Sequence, residues 1–133
     1  MLTRLYALLT MLVLALPAAA DEAKIQGTIT GQIDRFLVDD FVGAFDYAAP
    51  SIKNIFRTPE NFGRMVSQGY PMVWRPADVE YLELRAEGAV RVQKVLITDQ
   101  KGGVHILDYR MIETAEGWKI SGVVLLDSSA VAA

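Results

Sequence analysis

The hydrophobic period of this chain changes once, at Pro76, and that change constrains the fold more than any motif does. Before it, apolar side chains recur at helical spacing; after it they fill four runs rich in Val, Ile, Leu and Tyr, separated by turn signals. Helices segregated ahead of strands indicate an α+β architecture with helices on one face of an antiparallel sheet, because a parallel sheet requires the two to alternate.

The first stripe is Ile25, Ile29, Ile33, Phe36 and Leu37, at offsets 0, 4, 8, 11 and 12, one face of a helix. Gly27, Thr28, Thr30 and Gly31 lie off it and are poor helix formers, so tertiary packing must hold this helix. Asp39 or Asp40 caps a second helix with the stripe Phe41, Phe45 and Ala48, stopped by Pro50. A single turn is expected around Ser51 to Phe56. Thr58-Pro59-Glu60 then combines a capping hydroxyl, a proline at the first helical position and an acid in the first turn, opening a third helix that runs through Phe62, Met65 and Val66 to Gly69.

The strand runs are Val79 to Arg85, Ala89 to Thr98, Val104 to Glu113 and Trp118 to Leu126, joined by hairpins at Glu87-Gly88, Asp99 to Gly103 and Thr114 to Gly117. Alternation in the third run puts Val104, Ile106, Asp108, Arg110 and Ile112 on one face and His105, Leu107, Tyr109, Met111 and Glu113 on the other. In the fourth, Trp118, Ile120, Val124 and Leu126 oppose Lys119, Ser121, Val123 and Leu125. Apolar residues thus stand on both faces, and a homodimer through the face the helices leave uncovered is expected. Asp127 to Ala133 is small and polar, and a frayed tail is expected there.

Met1 to Arg4 is a short basic start, Leu5 to Leu16 is almost continuously apolar, and Pro17-Ala18-Ala19-Ala20 supplies a small-residue cleavage pattern. Residues 1–20 therefore read as a signal peptide cleaved after Ala20, and residues 21–133 as one α+β domain. The apolar segment falls short of the ~20 residues a helix needs to cross hydrocarbon, so a periplasmic or secreted protein without a permanent membrane anchor is expected.

Thirteen basic residues against 16 acidic ones, a formal charge of -3, supply no clustered basic face for nucleic acid or anionic lipid. With no Cys and a single His, the chain forms no disulfide, thiolate metal site or two-imidazole motif, and no cofactor or metal is expected. His105 is the one side chain with an ordinary pKa near neutrality, but beside Gly102-Gly103 it reads as a surface or half-buried strand residue. His105 and Asp108, three apart on a strand, point to opposite faces, whereas Asp108 and Arg110 share one and read as an exposed pair. Asp46 and Tyr47 diverge by about 100 degrees on a helix and Glu80 and Glu83 diverge on a strand, so neither forms a working pair. The aromatic residues Tyr70, Trp74, Tyr81, Tyr109 and Trp118 fill a core or line a pocket. A ligand site is expected where the second and third helices meet the sheet, near Tyr47, Trp74, Tyr109 and Arg110. It suits a small apolar molecule with an acidic end, onto which Arg110 would fork.

Helices followed by an antiparallel meander in about 110 residues resemble the nuclear-transport-factor-two-like, or SnoaL-like, cone fold. The runs Ala44-Phe45-Asp46-Tyr47-Ala48-Ala49-Pro50-Ser51-Ile52-Lys53, Phe56-Arg57-Thr58-Pro59-Glu60-Asn61-Phe62, Gly69-Tyr70-Pro71 and Gly117-Trp118-Lys119-Ile120-Ser121-Gly122-Val123 are similar to the domain-of-unknown-function 4864 family of small exported bacterial proteins. The resemblance implies three N-terminal helices packed on a curved four- to five-stranded antiparallel meander. Two functional readings stay open: an exported, non-catalytic binding or assembly module, which leads, and a cofactor-independent small-molecule isomerase, dehydratase or hydrolase of the SnoaL-like type. No catalytic pattern of that superfamily is matched, so no catalytic residue is carried over.

Overall fold

The helical stripes and the strands close on each other in a computed structural model that describes residues 17–126. Residues 1–16 of the expected export signal at residues 1–20, and the expected frayed tail from Asp127, lie outside the described residues. Helix α1 (Pro17–Leu37) runs without a break through Ala20 and Asp21 and buries Ile25, Ile29, Ile33 and Phe36. Leu37 stays 43% exposed, because the helix ends there and Asp39 turns the chain at φ 56. Among the described residues no helix is long and apolar enough to cross a membrane.

Helix α2 (Phe41–Asp46) is capped by Asp40, whose carboxylate accepts from the Gly43 backbone N–H at 2.9 Å. It stops well before Pro50 because the chain is diverted to the sheet. Ala48 forms a lone parallel bridge with Ile120, in which the Ala49 N–H donates to the Ile120 carbonyl at 2.8 Å and the Ile120 N–H to the Tyr47 carbonyl at 2.9 Å. Pro50 begins a helix rather than only ending one: α3 (Pro50–Phe56) replaces the single turn expected there. Helix α4 (Pro59–Gly69) has the expected bounds, with Thr58 accepting from Asn61 N–H at 3.1 Å. A further short helix, α5 (Pro71–Trp74), leads into the sheet. The helical layer thus holds five helices among the described residues, where three were expected.

Strands β1 (Pro76–Glu87), β2 (Val90–Asp99), β3 (Val104–Thr114) and β4 (Gly117–Leu125) form one antiparallel meander in chain order. Leu107, Tyr109 and Met111 on β3 and Val95 and Ile97 on β2 join the helical core. The alternation expected for the last strand breaks midway. Arg110 opposes Gly122 while Met111 opposes Ile120, so Ser121 is an unpaired extra residue and the strand changes phase. Trp118, Ile120 and Val123 therefore pack toward the helices, a correction to the expected grouping of Ile120 with Val124.

A second irregularity lies in β1, where Tyr81 opposes Val95 but Leu84 opposes Gln93. The fully buried Gln93 amide donates to the Leu82 carbonyl at 3.0 Å, satisfying backbone the ladder leaves open. Helix α1 is tied to both sides of the sheet: Tyr81 donates to the Gln26 carbonyl at 3.1 Å and Thr28 to the Trp118 carbonyl at 3.1 Å. The outer sheet face carries ion pairs, Arg85–Asp108 at 2.9 Å, Arg110–Glu87 at 3.0 Å and Lys94–Glu83 at 2.9 Å. Val92, which pairs with Arg85 on one side and Arg110 on the other, is fully buried beneath them.

Candidate functional site

A groove of about 280 Å³ opens between α1, α3, α4 and β4. Its floor is the phase change in β4: because Ser121 turns away and donates to the Arg110 carbonyl at 3.1 Å, Gly122 and Val123 follow Ile120 inward. Its walls are Phe36 from α1 and Phe62, Met65 and Val66 from α4. Phe62 packs against Phe36, Phe45 and Phe56, with ring centroids 5.8, 5.2 and 5.8 Å apart. Helix α3 forms the roof through Ile52, Ile55 and Phe56; it buries no residue fully, and Ile55 is 67% exposed although it lines the groove.

Two polar groups enter this apolar lining. Gln32 is 3% exposed, and its amide donates to the Ala44 carbonyl at 3.1 Å. Tyr70 donates to the Val123 carbonyl at 3.4 Å. Beside the floor on β3, opposite Val123, Tyr109 is fully buried with no partner for its hydroxyl, and burial pushes its phenol well above the usual range, with Tyr81 and Tyr70 adding to the shift. The roof ends at a strained point: Arg57 takes φ 69 and ψ -40, and Thr58 N–H donates to the Phe56 carbonyl at 2.8 Å, a γ-turn that a non-glycine residue rarely adopts.

The four residues expected to share one ligand site are not brought together. Tyr109 is core, and Arg110, its neighbour on the strand, points to the opposite face and is held by Glu87 at 3.0 Å. Tyr47 packs over Gly31 of α1, where an added Cβ would stand 2.7 Å from the phenol. Trp74 donates to Asp39 at 2.8 Å and lies 4.0 Å beneath the Arg75 guanidinium. None of the four lines the groove. The residue that sequence reasoning missed is Gln32, seven positions after Ile25 and hence on the buried face of α1; a glutamine at that offset was the available signal.

His105 pairs not with Asp108 but with Asp99, Nε2 to Oδ2 at 2.8 Å. Asp99 also accepts from the Lys101 and Gly103 N–H groups at 2.9 and 2.8 Å, and His105 with these two amides holds its carboxyl below the usual range. The cluster closes the β2–β3 hairpin, and the imidazole is half-buried. Asp39 is likewise held low, by Trp74 and Arg75. Among the described residues no three His, Asp or Glu side chains are grouped as metal ligands.

A family model described as a domain of unknown function (DUF4864) matches residues 18–133. No curated protein matches the chain.

Proposed function

We propose that this chain, which belongs to the DUF4864 family, is an exported, non-catalytic binding module that holds an apolar ligand in the groove roofed by α3. The observation that carries this reading is the groove itself, about 280 Å³ of aliphatic and aromatic lining into which only the Gln32 amide and the Tyr70 phenol intrude. Small-molecule sites combine apolar walls with a few placed polar groups, and typical volumes begin near ~300 Å³. An amide and a phenol orient a ligand, whereas proton transfer calls for a group that titrates near the working pH.

Export is supported by the basic start, the short apolar run and the small residues before Asp21. The core stripe of α1 begins only at Ile25, so cleavage after Ala20 removes none of its buried contacts. The order of helices and meander supports a SnoaL-like cone, with the groove at its open end.

The test uses the purified protein and an environment-sensitive apolar dye. The dye should brighten in the wild type and fail to do so in Ile55→Asp, which sets a carboxylate on the roof at an exposed position. Equal brightening in both would overturn the assignment of the groove. Turnover of small ketone or ester substrates by the wild type would overturn its non-catalytic part.

A further inference from the structure

We infer that the sheet face turned away from the helices docks a second copy of this chain, patch on patch across a two-fold axis. Strand β3 alternates between two environments: Leu107, Tyr109 and Met111 join the helical core, while Val104, Ile106, Asp108 and Arg110 stand on the other face. Ile106 is buried yet stands outside the core cluster, so its neighbours on the outer face are what cover it.

Those neighbours form one apolar patch over three strands. Leu96 of β2 lies opposite Ile106, and the Leu126 N–H donates to the Ile106 carbonyl at 2.9 Å from the β4 side. Val104 and Val124, the latter opposite Asp108, extend the patch and are 48% and 49% exposed. A contiguous apolar patch open to water marks a protein interface.

Charge selects the partner. The chain carries a formal charge of -3, so two copies repel except where their acids are matched. On this face Asp108, Glu87 and Glu83 are each matched within the chain, by Arg85, Arg110 and Lys94. Asp78 and Glu80, which share the face, stand on β1 at its rim. A partner of strong opposite charge finds little to complement here, whereas a two-fold copy needs only apolar patch against apolar patch with paired ions around it.

Area is sufficient as well. Four strands of 9 to 12 residues, about 4.8 Å apart at ~3.3 Å per residue, make a face of about 600 Å² in projection. A standard interface takes roughly 800 Å² of accessible surface from each partner, which side-chain relief on such a face supplies.

Light scattering on the purified protein at about 100 μM, with urea unfolding of each variant as the check on folding, tests the inference. The wild type should show twice the mass of one chain. Val124→Asp and Val104→Asp, on two different strands and both at exposed positions, should each halve that mass while keeping the wild-type fold. Ile55→Asp, 67% exposed on the helical layer, should remain a dimer. A wild-type monomer would overturn the inference, and so would a dimer that survives both valine substitutions. A dimer broken by Ile55→Asp alone would place the contact on the helices and overturn it equally.

Discussion

Gly63 of α4 lies against the base of the Phe41 ring on α2, so close that a Cβ there would stand 2.5 Å from Cγ and 2.6 Å from Cδ1. The ring cannot swing clear about its own root, so the contact requires glycine. Gly63→Ala should destabilise the protein by about 1–3 kcal/mol in urea unfolding, the scale of an overpacked core. Phe41→Leu should recover part of that loss in a double-mutant cycle. Gly27 has nothing within 4 Å of its Cβ position, so Gly27→Ala should stabilise α1 by about 0.5–1 kcal/mol. The same substitution thus has opposite signs in two helices.

Arg85 holds Asp108, which is 8% exposed, on the outer face of the sheet. Arg85→Met leaves that carboxylate without its charged partner and should lower the unfolding midpoint. Glu83→Gln breaks the Lys94–Glu83 pair, in which the glutamate side chain is 65% exposed, and should cost at most about 1 kcal/mol. Unfolding midpoints of the two variants provide the comparison.

Folded Asp99 holds its proton less tightly than an ordinary carboxyl near 3.8, because His105 and two backbone amides stabilise its charge. A lowered folded pKa contributes stability above the unfolded value, and that contribution is lost as pH falls through the folded one. Asp99→Asn should therefore be less stable than wild type at neutral pH, with the gap shrinking below about pH 4. Asp39 and Glu87, also held low, act in the same direction. Acid titrations of unfolding free energy for the wild type and Asp99→Asn would show the convergence.

Arg57, at the end of the roof helix, pays for its γ-turn in backbone strain. Glycine takes positive φ freely, so Arg57→Gly should raise stability by roughly 0.5–1 kcal/mol despite the larger entropy of the unfolded chain. An unchanged or lowered urea midpoint would contradict this.

Local chemistry was legible and long-range chemistry was not. Thr58-Pro59-Glu60 fixes the start of α4 within three residues, and α4 begins and ends as expected. Pro50 is ambiguous by nature, since the ring that stops one helix suits the first turn of the next, and only the bridge from Ala48 to Ile120 decides that it does both. Likewise the phase change at Ser121 is imposed by pairing with β3, and a strict alternation of two cannot foresee it. That one extra residue sends Val123 to the groove and explains why both faces of the last strand read as apolar. The expected site failed for a simpler reason: Tyr109 and Arg110 are adjacent on a strand and cannot face the same ligand.

The bridge between Ala48 and Ile120 also bears on how the chain reaches this state. Its two backbone bonds join segments separated by more than half the chain, and the second partner belongs to the final strand. A nascent chain has the five helices of the described residues out before β4 exists, so the helical layer waits, its apolar stripes exposed, for the last strand to arrive. Such a contact order slows folding and lengthens the time in which unpaired edges invite aggregation. It also makes closure cooperative: a truncation within β4 removes the latch along with the strand, and should leave a collapsed but unlocked chain rather than a three-stranded version of the same domain.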